Sequence, residues 1–291
     1  MCSAHSQHNW TAAWVGENEV TLWTMSARQI VQRHSMTRSQ SDAQQDLLTA
    51  LHLAEVAARN PILVCGLPQA AAVEVPAKPA ELAPVQLDLP PWQPLALPGL
   101  RQKNPLALMQ SNTAQIGGFL ALNPKWDGVI CLPGTVTHWV QVSAAEVVSF
   151  QSTLSSGLQA ALAQHLSVDG TWSESALKDA VAETMSRPER LAARLAELHA
   201  NHQLQVAQSP EISGRLWGYL LGAELSAARP YWLGQNLALI GSDHQAAPYL
   251  AALSAQGLPV TQADPARMAL EGLIAAWRRL NDKTNAEPPA T

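Results

Sequence analysis

No apolar run in this 291-residue chain approaches the roughly 20 residues that a membrane-spanning helix requires. Its first ten residues, MCSAHSQHNW, have neither a basic start nor an apolar core. The expectation is a cytoplasmic protein that does not engage a membrane. Basic clusters are missing as well: no five Lys/Arg fall together, and 18 basic against 23 acidic residues leave a net charge of −5. Nucleic acid and anionic lipid surfaces are therefore excluded as partners. The three cysteines, Cys2, Cys65 and Cys131, are odd in number and lack metal-like spacing, and the last two sit inside apolar runs. Buried, reduced thiols are expected in place of a disulfide frame. Two Phe and three Tyr stand against ten Trp; the tryptophans are scattered, with no stacking series, which assigns them to core packing.

What is present is organised in two halves. A hydrophobic content of 47% over this length supports two domains, each with its own core. The stretch VICLPGTVTHWVQV (129–142) reads as a strand, a Pro-Gly-Thr turn and a second strand. A turn of this kind offers bare backbone N–H groups and a hydroxyl to a phosphate. A weaker copy, WTAAWVGENEVTLWTM (10–25), places Gly16 between two β-rich runs. Two such hairpins predict a duplicated architecture with a cleft between its halves, divided into 1–125 and 126–291.

Between these hairpins the pattern predicts a helix over 41–60, capped by Ser41 or Asp42 and stopped at Asn60-Pro61, and then a buried strand over 62–65. Eight prolines between Pro68 and Pro98 make that segment extended coil and short strands. Helical spacing returns over 107–122. Further on, Ser186 with Pro188 predicts a helix start that buries Leu191, Leu195 and Leu198. The helix predicted over 211–228 places Leu216, Leu220, Ala223 and Ala227 on one face and carries Gly214, Gly218 and Gly222 at every fourth position. Such a row lets another backbone pack close, at roughly 1 kcal/mol per glycine in helix propensity. A strand over 237–240 ending in Gly241-Ser242 and followed by a helix to Gln256 completes a common nucleotide-facing unit. Asp169-Gly170 and Asp264-Pro265 read as turns, and His5 with His8 lacks the partners that a metal site needs. No metal-binding residue is assigned.

The order of these parts resembles the 2-keto-3-deoxygalactonate kinase (2-dehydro-3-deoxygalactonokinase) family. The most specific match is Leu132-Pro133-Gly134-Thr135-Val136-Thr137-His138-Trp139-Val140, similar to the family's Pro-Gly-Thr-His-Ser-Lys-Trp-Val. Pro98-Gly99-Leu100, Gln115-Ile116-Gly117-Gly118, Phe150 with Leu158, Leu220-Leu221-Gly222-Ala223-Glu224 and Ile240-Gly241-Ser242 support it, collinear over about 10–280. The resemblance implies an α/β fold of two RNase H-like domains, as in the sugar kinase, actin and Hsp70 superfamily. It also implies transfer of the γ-phosphate of ATP, with Mg²⁺, to the 6-hydroxyl of a 2-keto-3-deoxy sugar acid.

The motifs nonetheless depart from the family at their charged positions. Where the family has Asp-Trp-Gly-Thr-Thr and then Arg, this chain has Trp14, Val15, Gly16, Glu17 and Asn18, then Thr21. A carboxylate at Glu17 facing a phosphate at ~4 Å costs roughly 4 kcal/mol at an effective dielectric near 20. The family's Met-Val-Gly-Ser becomes Leu67-Pro68-Gln69-Ala70, and its Arg-Gly-Glu-Glu-Thr-Gln becomes 110–115, keeping only Gln115. His, Ser and Lys of the second hairpin become Val136, Thr137 and His138, and Thr-Gly-Glu becomes Ser155-Ser156-Gly157. The phosphate-facing candidates are Gly16, Gly134, Thr135 and Thr137. Gln115, Ser155 and Ser156 are candidates for substrate or phosphate, and Gly241 and Ser242 for the adenosine-side turn. Thr135 has two readings, a phosphate contact or a turn residue, and Ser155 and Ser156 have a second reading as a helix cap. His138 reads as a replacement base or a strand-end histidine, and Glu224 as a buried helix residue. Three functions follow: an impaired sugar-acid kinase kept for binding, an active kinase using Glu17 or Asp243, and a structural partner without a ligand.

Overall fold

The structure, a computed structural model, describes residues 9–39, 42–168 and 170–286. Cys2, His5, His8, Ser41 and Asp169 lie outside the described residues. The chain divides into two compact units, one made of residues up to Trp126 with Ser143–Ser149 and Asp264 onward, the other of Asp127–Val142 and Phe150–Ala263. The final helix therefore belongs to the first unit, whereas division at residue 125 assigns it to the second.

In the first unit β1 (Asn9–Val15), β2 (Glu19–Ser26) and β3 (Gln29–Thr37) form an antiparallel meander, followed by α1 (Ala43–Leu53) and β4 (Ile62–Cys65). The proline-rich stretch supplies β5 (Val73–Glu74), β6 (Val85–Gln86), β7 (Leu95–Leu97), β8 (Leu100–Gln102) and β9 (Ala107–Met109), before α2 (Asn112–Leu122). The main sheet has the order β3-β2-β1-β4-β7-β6, with β1, β4 and β7 parallel. Alternation along β1 sends Ala13 and Val15 to the core shared with Leu47 and Leu51 of α1. Trp10, Ala12 and Trp14 go to the opposite core.

The second unit repeats the plan. Its β10 (Gly128–Leu132), β11 (Thr137–Ser143) and β12 (Glu146–Thr153) lead to α3 (Ser155–Leu166), α4 (Glu174–Ser186), α5 (Leu191–Gln203), α6 (Ser209–Ala227) and α7 (Arg229–Trp232). Then come β13 (Leu237–Ile240), α8 (Asp243–Ser254) and β14 (Val260–Ala263). The sheet order β12-β11-β10-β13-β14, with β10, β13 and β14 parallel, reproduces the first five positions of the other sheet. The repeat expected from two hairpins is thus a repeat of whole sheets. The last helix, α9 (Pro265–Ala286), closes the first unit, where Trp277 stacks on Trp10 at 4.7 Å between ring centroids.

Local departures have physical causes. The first helix stops at Leu53, because Glu55 takes a positive φ and residues 57–60 form a turn; Asp42 caps it by accepting from the Gln44 amide at 2.8 Å. Residues 107–109 are strand and not helix: Ala107 and Met109 are buried and Leu108 exposed, the period-2 pattern of pairing with β8. Ser186 ends α4 instead of starting a helix; Pro188 opens a 3₁₀ turn from which α5 continues. Ala227 is exposed, since α6 buries two faces and not the single stripe expected. The glycine row does what its spacing predicts. A Cβ at Gly222 would lie 2.8 Å from Thr184 Cβ and from the Val181 carbonyl, and those at Gly214 and Gly218 would meet the Ser173 and Leu177 carbonyls of α4 and its cap. Asp264 caps α9, accepting from the Arg267 amide at 2.6 Å.

Candidate functional site

In the second unit the C-terminal ends of the parallel strands β10 and β13 lie side by side, with Cys131 opposite Leu239. Their outgoing loops are the Pro-Gly-Thr turn and Gly241-Ser242. A Cβ on Gly241 would sit 3.4 Å from Pro133. Ligands of open α/β sheets bind at such strand ends. The start of α3 joins this edge: the Gly157 amide donates to the Thr135 carbonyl at 3.3 Å, and a Cβ at Gly157 would come to 3.0 Å from the Thr135 methyl. Gly134, Thr135, Ser155, Ser156, Gly241 and Ser242 are therefore gathered at one edge, where α3 and α8 both begin. Helix N-termini favour anions.

The side chains divide into two groups. Thr135 is exposed at the tip, and Ser242 is exposed, its hydroxyl 2.9 Å from the Gln245 amide oxygen. Thr137 is fully buried, its Oγ1 2.6 Å from the Tyr249 hydroxyl, and Ser156 Oγ is 3.1 Å from the same oxygen. Tyr249 donates in turn to Glu224 Oε2 at 3.4 Å, while the Trp139 indole donates to Oε1 at 2.8 Å. Ser155 also hydrogen-bonds this carboxyl. Burial raises the Glu224 carboxyl above the ordinary range, against the pull of the Ser155, Trp139 and Tyr249 hydrogen bonds. Glu224 is thus a buried helix residue tied into a network, as its position in α6 suggests. His138 is buried, with Nδ1 2.8 Å from Ser152 Oγ and its ring edge-on to Phe150, and desolvation pushes it down to about 4. It is neutral at pH 7 and brings no charge to the turn.

Beside this edge, still in the second unit, lies a cavity of about 290 Å³ lined by Gln159 and Gln164 of α3, Trp172, Trp217 of α6, and His244 and Pro248 of α8. Two of the ten tryptophans therefore line a concavity while six are buried in cores. Position along the chain did not distinguish the two sets.

In the first unit Gly16 forms the β1–β2 turn, its amide donating to the Glu19 carbonyl at 2.9 Å. Trp14 is buried and donates its indole N–H to the Ser111 carbonyl at 3.2 Å, bringing this hairpin beside the start of α2. The turn is held from outside by a residue that no motif signalled. Arg38 donates to the Gly16 carbonyl at 2.9 Å and to that of Glu17 at 3.3 Å, while its Nε pairs with buried Asp46 at 2.9 Å. Gln115 is buried, accepting from the Asn112 amide at 2.9 Å and donating to the Pro265 carbonyl at 3.5 Å. Its polar atoms have partners within the protein. Among the described residues no three of His, Cys, Asp and Glu come together as metal ligands. A Mg²⁺ ion bound mainly through phosphate oxygens and water needs only one or two carboxylates; at this turn the carboxylate is Glu17, and Trp14 has none.

The repeated sheets with paired strand-end loops define a two-unit α/β fold of the sugar kinase, actin and Hsp70 type. The fold is similar to the crystal structure of a candidate 2-dehydro-3-deoxygalactonokinase from Sinorhizobium meliloti, with a TM-score of 0.83 at 24% identity over 93% of this chain and 99% of that one. It is also similar to the activator of the 2-hydroxyisocaproyl-CoA dehydratase from Clostridium difficile with bound ADPNP, at a TM-score of 0.59 and 10% identity over 97% and 99% of the two chains. The chain belongs to the 2-keto-3-deoxy-galactonokinase family, whose model matches residues 12–276. Among its relatives, the probable 2-dehydro-3-deoxygalactonokinase of Rhizobium meliloti (strain 1021) is 28% identical over 251 residues, covering 79% of this chain and 82% of the relative. The 2-dehydro-3-deoxygalactonokinase of Escherichia coli (strain K12) is 28% identical over 159 residues, 53% of this chain and 54% of the relative. Among the described residues no helix is long and apolar enough to cross a membrane.

Proposed function

We propose that this protein binds a nucleotide and a 2-keto-3-deoxy sugar acid but transfers phosphate far more slowly than a working kinase. The observation that carries this reading is Trp14. Where the family motif has an aspartate, the chain has a buried indole with its N–H committed to Ser111. The other departures support it. Thr137 and Ser156 are committed to Tyr249, and His138 carries no charge at neutral pH. Phosphoryl transfer depends on positioning and on electrostatic stabilisation of the transferring group, so these losses act on the rate. Binding depends on parts that remain: the backbone turn at 133–136, the Gly241-Ser242 turn and the cavity, where Trp172 and Trp217 offer aromatic surface to a nucleobase. The same reading carries ATP, with Mg²⁺ arriving on the nucleotide, and a cytoplasmic location.

The test is to incubate the pure protein with Mg-ATP and 2-keto-3-deoxygalactonate, follow ADP release, and measure melting temperature with each ligand in parallel. Turnover at least a thousandfold below the ~1–100 per second of ordinary kinases, together with a nucleotide-dependent rise in melting temperature, is expected. Turnover in the ordinary range overturns the reading in favour of an active enzyme. No response to any ligand leaves the structural-partner role.

A further inference from the structure

We propose that Tyr249 is a positioning residue for the Pro-Gly-Thr turn: its hydroxyl locks Thr137, at the exit of the turn, to Ser156, at the start of α3, with Glu224 of α6 as the anchor beneath. The functional consequence rests on the phosphate-facing reading of that turn; the positioning itself does not.

The argument starts from hydrogen-bonding capacity. A phenolic oxygen has one proton to donate and two lone pairs to fill. Tyr249 is buried from water, so each of these must find a partner inside the protein or carry a desolvation cost. Three partners are present: Thr137 Oγ1 at 2.6 Å, Ser156 Oγ at 3.1 Å and Glu224 Oε2 at 3.4 Å. The assignment that satisfies all three has Tyr249 donating to the carboxyl and accepting from both hydroxyls. The Thr137 hydroxyl also lies within donating distance of the Gly134 carbonyl, at 3.4 Å, so the same oxygen touches both the turn and Tyr249.

The junction spans four elements, of which β11, α6 and α8 already share a hydrophobic core, and it adds a directional polar link to that packing. Thr137 opens β11, Ser156 is in the first turn of α3, Glu224 is on α6 and Tyr249 on α8. The anchor is itself fixed, because Trp139 holds the other carboxyl oxygen at 2.8 Å and the glycine row seats α6 tightly on α4 two residues before Glu224. The Gly157-to-Thr135 backbone bond and the Tyr249 junction both attach the turn at 133–136 on its exit side. Removing the phenol oxygen leaves the first and deletes the second. The amides of Gly134, Thr135 and Val136 lose their fixed direction relative to the start of α3, which is the geometry an anion cradle requires.

The experiment uses the full chain with Tyr249→Phe, which keeps the ring and removes only the hydroxyl, and Thr137→Val, which removes the partner on the turn side. Amide hydrogen exchange is expected to rise at least tenfold at 134–138 in both variants and at 156–158 in Y249F, with α4 and β13 within about twofold of wild type. The double variant should exchange no faster than Y249F, because both substitutions delete one junction. The Kd for ATP should rise at least fivefold in each. Exchange that rises evenly through the second unit assigns Tyr249 a purely packing role and overturns the proposal, as does exchange unchanged at 134–138. If Y249F does not fold, T137V alone decides by the same criteria. If wild type binds no ATP, the nucleotide reading falls while the exchange pattern still decides the positioning.

Discussion

A histidine kept neutral by burial makes the protein sensitive to acid. His138 binds a proton near pH 6.5 when unfolded but only near 4 when folded, so the unfolded state takes up more protons between these values. Stability is complete above about pH 6.5 and falls as pH drops toward 4, by up to roughly 3 kcal/mol. Urea unfolding at pH 7.5 and 5 should register the loss, and His138→Gln should flatten the slope. Glu224 has the opposite sign: its raised carboxyl contributes fully below the unfolded value near 4.5 and loses that contribution as pH rises through the folded value. The two windows overlap above about pH 4.5, so Glu224→Gln, which removes this opposing slope, should steepen the loss on acidification. In the first unit, Asp46 is raised by burial but lowered more by the Ser39 hydroxyl and Arg38, a net depression. Asp46→Ala removes the carboxylate that accepts from Arg38 Nε and from the Ser39 hydroxyl. It should cost roughly 2–3 kcal/mol in denaturant unfolding, the scale of hydrogen bonds to a charged group.

Among the elements, α6 shows how one repeat decides packing. Gly218→Ala adds a methyl where the Leu177 carbonyl and the Ala180 side chain already stand. The substitution gains about 1 kcal/mol of helix propensity, but overpacking against a backbone carbonyl costs more. A net loss of roughly 1–3 kcal/mol is expected, measured by chemical denaturation. Gly234→Ala is a useful contrast, because no atom lies within 4 Å of its Cβ position and only its positive φ opposes the change. A second close crossing in the first unit was not signalled by any periodic pattern. Gly118 of α2 abuts the Met268 carbonyl of α9, and Gly272 of α9 abuts the Ala114 carbonyl of α2. Both glycines stand in sequence contexts that suit an ordinary helix, and only the partner helix, some 150 residues away, makes them necessary.

At the scale of the whole molecule the last helix closes the domain that the N-terminal strands begin. Ala269 and Leu273 of α9 share a core with Trp10, Ala12, Leu63 and Cys65, and Trp277 stacks on Trp10. Deleting 264–291 should expose this face and abolish the cooperative unfolding of the first unit, with β1 and β4 becoming sensitive to protease. The second unit, whose core draws on 127–142 and 150–263, should keep its own thermal transition; differential scanning calorimetry with limited proteolysis checks both.

The sequence alone determined the two hairpins and the buried strands at 62–65 and 237–240, because alternation, proline and glycine act over a few residues, whereas it took 107–109 for helix. From these it also determined the duplicated plan; the motif resemblance pointed to the family, and the replacement of charged motif positions was visible without coordinates. Tertiary structure decided what those side chains touch. The burial of Trp14 against Ser111, the closing of the Gly16 turn by Arg38, the neutrality of His138 and the convergence of Thr137, Ser156 and Glu224 on Tyr249 all join residues distant in the chain. Hydrogen-bond partners and desolvation depend on which elements meet, a property that short-range pattern does not encode.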